Sequence, residues 1–277
     1  MQEKKQDKQR IMLLKKALEI TLYIAGAGAF GVFLRWLQVM IAFDELGLVD
    51  PSAFNFLVPA FVIAAAIVFY RFLEKDKRLR RSVPEDFVGA LRNDYRIFSI
   101  ACWLAGFVLA LGGLSLFGKA ETSKLANLIR LMSLLAVLSG VSAPLLLELA
   151  HREERRPLPL CLLSLPPVAL NAAWVVYLYR ANSINSVLWS YVPELASIAV
   201  TMFAFARIAG FAFGSPKPDR ARFDAMLGGS LCLMCLADDR YTGMQLMLLG
   251  MSLLLMLYNW AMVCNLREDG GEETETA

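Results

Sequence analysis

The stretch GAGAFGVFLRWLQ, residues 26–38, places an arginine inside an apolar run that extends over residues 18–43. A run of this length can cross the hydrocarbon core of a bilayer as a helix, for which about 20 residues suffice. A charge at that depth costs at least about 2.5–3.5 kcal/mol, so such a side chain usually faces other helices and finds a partner among them. Arg35 therefore predicts that this helix packs inside a bundle.

The composition of the whole chain is that of a membrane protein. Its 277 residues are 57% hydrophobic and 19% charged, with a mean hydropathy of +0.52, whereas a soluble domain has about 25% charged residues. The apolar residues form long runs separated by short charged stretches, which predicts an all-α, polytopic transmembrane helix bundle over residues 18–266. The bilayer is the expected partner, and a net charge of +3 is too small to suggest nucleic acid.

Eight apolar runs can be counted as membrane spans. They cover residues 18–43, 53–73, 96–117, 124–148, 157–179, 187–209, 222–238 and 241–266. If the N-terminus is cytoplasmic, 22 of the 28 basic residues fall on the cytoplasmic side, as the positive-inside rule requires. This predicts a multi-pass protein of the plasma or cytoplasmic membrane with both termini cytoplasmic. Residues 1–17 form a basic cytoplasmic segment, whose polar lead and long following run do not fit a cleavable signal.

The cytoplasmic loop 74–95 contains a further predicted element. Ser82 is followed three residues later by Glu85, the pattern of a capping box, and we expect a short helix over 83–93 that lies in the bilayer interface. The C-terminal tail, residues 267–277, is acidic and contains Gly-Gly, so it is predicted to be disordered.

A weak internal repeat is visible between the two halves of the chain. GVFLR at 31–35 aligns with PVALN at 167–171, and the stretch that begins at Val58 resembles the one that begins at Val192, with offsets of 136 and 134 residues. The pattern would correspond to two four-span halves of the same orientation, a 4+4 parallel repeat of the kind found in some transporters.

Four polar residues inside the spans form the candidate ligand-binding site: Arg35, Arg130, Glu194 and Asn171. At 1.5 Å per residue, all four lie roughly 9–14 Å below the predicted outer boundary. Glu194 is the acid at this level, which makes it the expected partner of Arg35. Since two arginines face one carboxylate, the site would have an excess positive charge suited to an anionic group.

Gly28 and Gly31 lie on the same helical face as Arg35 and should let another helix approach closely. Structural explanations remain open for each charge. The side chain of Arg130 is shallow enough to extend to the lipid headgroups. If Trp189 and Tyr191 mark the bilayer interface, Glu194 falls in the first turn of a helix, where the helix dipole favours a carboxylate. An Arg35–Glu194 pair could also serve packing alone.

Catalytic and metal-binding patterns are not visible. His151 is interpreted as a solvated loop residue, and Cys232 and Cys235 have redox spacing but fall in an apolar helix, where packing is the simpler interpretation. Asp238 and Asp239 occupy a short outer turn, where solvated acids are expected. No nucleophile–base pair is recognisable, so the sequence predicts neither an enzyme nor a cofactor or metal.

These observations favour a small transporter, carrier or binding protein for a small polar or anionic solute or a lipid headgroup, reached from the outer face. The alternative is a non-catalytic membrane subunit or scaffold that assembles with a partner protein through its small-residue helix faces.

Overall fold

The computed structural model describes residues 2–42, 56–119, 125–152, 157–183, 187 and 190–268. All but the first two residues of the predicted disordered tail lie outside this part of the chain. The described residues form the helices and two short strands in this order: α1 Gln2–Ala42, α2 Leu57–Arg78, β1 Arg81–Ser82, α3 Phe87–Leu91, α4 Arg96–Phe117, α5 Ala126–His151, α6 Pro157–Ala181, α7 Val192–Ala212, α8 Pro218–Met234, α9 Thr242–Cys264 and β2 Arg267–Glu268.

The predicted all-α bundle is confirmed. Seven of the described helices are long and apolar enough to cross a membrane. The predicted first span is part of a longer helix, because α1 begins at Gln2 and includes the basic N-terminal segment. The predicted seventh span corresponds to α8, which has 17 residues and is followed by a 3₁₀ turn, Cys235–Ala237. It is not among the seven, so the count of eight spans stays a prediction.

Helix α8 is enclosed by other helices, since it packs against α1, α2, α7 and α9. Just after its start, Asp219 Oδ2 lies 2.9 Å from Lys77 Nζ at the end of α2. Beyond its end, Asp238 forms an ion pair with Arg35 near the end of α1. The C-terminal ends of α1 and α2 lie at opposite ends of the bundle, because Lys16, in the first half of α1, pairs with Asp76 near the end of α2. Helix α8 therefore runs the length of the bundle.

One end of the bundle joins segments that the sequence predicts to be cytoplasmic. Strand β1 pairs antiparallel with β2, with Arg81 opposite Glu268. The side chain of Asn265, directly after α9, donates to the carbonyl of Arg92 at 2.7 Å. These contacts bring the loop after α2 and the end of α9 together. Both would lie on the same side of the membrane if the chain crosses it an even number of times between them.

The predicted helix of the 74–95 loop is shorter than expected and has a different cap. Helix α3 begins at Phe87, and the side chain of Asp86 accepts a hydrogen bond from Gly89 N at 2.6 Å. Ser82 cannot act as the cap, because it belongs to β1 and pairs with Arg267. Phe87 and Leu91 share one face, as predicted, but both are buried, and α3 packs on α5 and α9.

The packing gives the predicted 4+4 repeat no support. In such a repeat α2 and α4 would correspond to α7 and α8. Helix α7 packs along α8, whereas α2 and α4 hardly touch. The repeat therefore stays a prediction.

The topology can be tested with a reporter that is active only outside the cell, inserted so that all helices are kept. We expect activity after residue 183, none after residue 218 and activity again after residue 240, because α8 would cross between the last two positions. If the reporter gives the same result after 218 and after 240, α8 does not cross and the number of spans is odd.

Candidate functional site

The intramembrane arginine is buried and paired. Arg35 is 1% exposed, and its Nε lies 2.7 Å from Asp238 Oδ1. Its Nη1 donates to Gln38 Oε1 at 2.7 Å and its Nη2 to the backbone carbonyl of Ser190 at 3.5 Å. The predicted glycine face is confirmed as well: Gly28 and Gly31 are buried. A Cβ at either glycine would clash with Leu233 or Met234 of α8, among others.

The predicted partner of Arg35 was wrong, and so was the expectation that Asp238 is solvated. The side chain of Asp238 is only 6% exposed. The 3₁₀ turn that ends α8 folds inward over the end of α1 and carries this carboxylate to the guanidinium. A turn of this kind is set by tertiary packing, so its sequence alone resembles any short solvated loop.

The buried carboxylate of Glu194 forms a second ion pair, with the half-buried Arg240. Its Oε2 lies 2.9 Å from Arg240 Nε, and its Oε1 accepts a hydrogen bond from Trp174 Nε1 at 3.0 Å. Glu194 is 1% exposed, while the side chain of Arg240 is 25% exposed. Neither Arg240 nor Trp174 was predicted from the sequence. The sequence did contain one indication of Arg240, because this arginine directly follows the acidic residues Asp238 and Asp239.

The two ion pairs meet at one carbonyl group. The backbone oxygen of Ser190 accepts from Arg35 Nη2 at 3.5 Å and from Arg240 Nη2 at 3.0 Å. We call Arg35, Glu194, Asp238 and Arg240 the Arg35 cluster. It contributes two guanidinium groups and two carboxylates, contrary to the predicted excess of positive charge.

The other two predicted site residues do not join this cluster. Arg130 is exposed on the surface of α5, which fits the explanation that its side chain extends to the headgroups. Asn171 is fully buried in α6, but its Nδ2 donates to the carbonyl of Pro167 in the same helix at 2.7 Å. Its Oδ1 has no hydrogen-bond partner among the described residues.

Two cavities adjoin the Arg35 cluster and share residues Asp239 and Arg240. The larger has a volume of about 450 Å³, and its lining includes Tyr177, Glu194 and Tyr241. The smaller, about 220 Å³, is lined by Arg35, Val39, Ser190, Asp238 and the two shared residues. The Arg35 cluster is therefore bordered by a cavity on two sides, and both cavities offer a polar ligand side chains of positive and negative charge.

A second buried charge network lies at the opposite end of the bundle. Asp76 of α2 pairs with Lys16 of α1 and accepts from Arg222 Nη2 of α8 at 2.9 Å. The side chains of Asp76 and Arg222 are 2% and 1% exposed. We call these three residues the Asp76 cluster. This cluster was not predicted from the sequence, because the basic residues of this region indicate only the cytoplasmic side.

The residues with possible redox or metal chemistry are members of neither cluster. Cys232 is a buried free thiol whose Sγ lies 3.4 Å from Ser197 Oγ and 3.2 Å from Thr201 Oγ1, between α7 and α8. Rather than lying in a loop, His151 is the last residue of α5, with a side chain 48% exposed and Nδ1 3.6 Å from Asp94 Oδ1. In the part of the chain that the structure describes, no group of three or more His, Cys, Asp or Glu side chains could hold a metal ion.

The chain was compared with family models, with curated proteins and with solved structures, and none of them matches it.

Proposed function

We propose that this multi-pass membrane protein is a carrier or binding protein for a small polar solute, bound next to the Arg35 cluster from the predicted outer face. One observation carries the proposal: Glu194 is 1% exposed, yet it lines a cavity of about 450 Å³ together with its partner Arg240. Ionisable groups inside a membrane protein are costly, and they commonly mark a substrate or ion pathway.

The charges do not favour an anionic solute in particular. The Arg35 cluster is balanced, and Asp239 adds a further carboxylate to both cavities. Arg130, which supplied the predicted excess of positive charge, lines neither cavity. The proposed ligand is therefore a small polar solute or a lipid headgroup, with no requirement for net negative charge.

A membrane subunit is the second candidate, and the surface between α1 and α2 favours it. A groove of about 550 Å³ there is lined mostly by apolar side chains, among them Leu22, Phe30 and Phe61. At Gly26, in the same groove, an added Cβ would meet nothing, so a helix of another protein could approach closely. A stoichiometric partner after mild detergent extraction would support this candidate.

The carrier proposal is tested by thermal denaturation of the purified chain with small cationic, zwitterionic, neutral and anionic solutes. A ligand at 100 times its Kd should stabilise the folded protein by about 2.7 kcal/mol. We expect this stabilisation for at least one solute, its loss in Arg240→Ala, and its retention in the matched variant Arg130→Ala. The proposal fails if no solute stabilises the protein, or if the two variants lose the effect equally.

A further inference from the structure

We infer that the ligand of the larger cavity carries an ammonium group; this inference rests on the proposed function and specifies its substrate class. The ionisable groups that line the cavity, apart from its tyrosines, are Glu194, Asp239 and Arg240. Two carboxylates and one guanidinium leave an excess negative charge. A net anion would add a third negative charge beside them, whereas an ammonium group would balance it.

Glu194 offers the ammonium group a defined contact. Its Oε1 is occupied by the Trp174 indole at 3.0 Å. Its Oε2 accepts no hydrogen bond from the described residues, although Arg240 Nε lies 2.9 Å away. A carboxylate has about four acceptor positions, and this one is buried where water competes poorly. Because Glu194 lines the cavity, an ammonium group bound there lies next to this carboxylate and is attracted by its charge.

Aromatic rings and a second acid complete the cavity. Tyr177 and Tyr241 both line it, and an ammonium group near the face of a tyrosine ring gains cation–π attraction. Asp239 is exposed and forms no ion pair with a described residue, so its carboxylate is free to attract a cation at the entrance.

Arg240 could bind a carboxylate of the ligand in addition to its ammonium group. One of its Nη atoms donates to Ser190 O at 3.0 Å, and its Nε has no hydrogen-bond partner among the described residues. A guanidinium has five N–H donors, so the remaining Nη donors of Arg240 can donate to a ligand carboxylate while Nε faces Glu194 Oε2 at 2.9 Å. A simple amine and a zwitterion share the ammonium chemistry, and the probes below separate them.

The test uses four probes with three-carbon chains on the full-length protein: propylammonium, β-alanine, propionamide and propionate. Affinity is measured by thermal shift and by titration calorimetry. We expect propylammonium or β-alanine to bind at least tenfold more tightly than propionate. Tighter binding of β-alanine assigns a zwitterion, and tighter binding of propylammonium assigns a simple amine.

Variants connect the binding to the cavity. Glu194→Gln should weaken the better ammonium probe at least tenfold, and Asp239→Asn, an exposed change that should not disturb folding, should weaken it several-fold. Glu74→Gln, at the opposite end of the bundle, serves as the control and should leave the affinity unchanged. The inference is overturned if propionate or propionamide binds best, or if Asp239→Asn and Glu74→Gln behave alike. If none of the four probes binds, the inference is overturned, whereas the proposed function fails only if the wider solute panel also gives no stabilisation.

Discussion

Replacing Asp76 by asparagine should lower the stability of the folded protein by about 3–5 kcal/mol, the cost of leaving a buried charge without its partner. Asp76 holds two cations from two different helices, Lys16 of α1 and Arg222 of α8. The amide cannot neutralise either of them, and Arg222 is only 1% exposed. The loss should appear as a lower midpoint in thermal denaturation of the purified protein in detergent.

Asp219→Asn is the matched control for this prediction. Asp219 also pairs with a lysine at the same end of the bundle, Lys77, but their side chains are 41% and 63% exposed. Exposed ion pairs contribute about 0–1 kcal/mol, so the midpoint should hardly move. Equal losses in the two variants would show that burial of Asp76 does not determine its contribution.

The fold class could be predicted from the sequence because a membrane helix must present apolar side chains to lipid. The same reasoning explains why α8 is difficult to recognise. Helices α1, α2, α7 and α9 surround it, so it needs no apolar surface toward lipid and can carry Arg222, Asp224 and Ser230 as buried residues. A hydropathy criterion therefore gives little indication of a helix such as α8, which other helices enclose.

The candidate site could be predicted only in part. The cost of a charge in the membrane and the glycines beside Arg35 correctly indicated that this side chain is buried and paired. Arg35 pairs with Asp238 and not with Glu194 because the 3₁₀ turn after α8 points inward. The local sequence does not indicate in which direction this turn points. Asp76 was missed for a related reason, since a carboxylate among many basic residues gives no sign in the sequence that its side chain turns inward.

A double-mutant cycle on Arg35 and Asp238 should give a coupling energy of up to about 3 kcal/mol, the upper range for residues in direct contact. Arg35→Leu leaves Asp238 buried without a cation, and Asp238→Leu leaves Arg35 with Gln38 and a backbone carbonyl. Each single change should therefore cost about 3–5 kcal/mol. The double change leaves neither charge buried without its partner, so it should cost up to about 3 kcal/mol less than the two single changes added together.

The exposed pair Arg78–Glu74 is the control for this cycle. Its Nη2 and Oε1 atoms are 2.6 Å apart, but the arginine side chain is 72% exposed, so a coupling of about 0.3–0.5 kcal/mol is expected for this helical pair. Midpoints of thermal denaturation for the four proteins of each cycle supply the comparison. If the costs of Arg35→Leu and Asp238→Leu simply add, the two side chains act independently. The ion pair would then not be what fastens the end of α1 to the turn after α8.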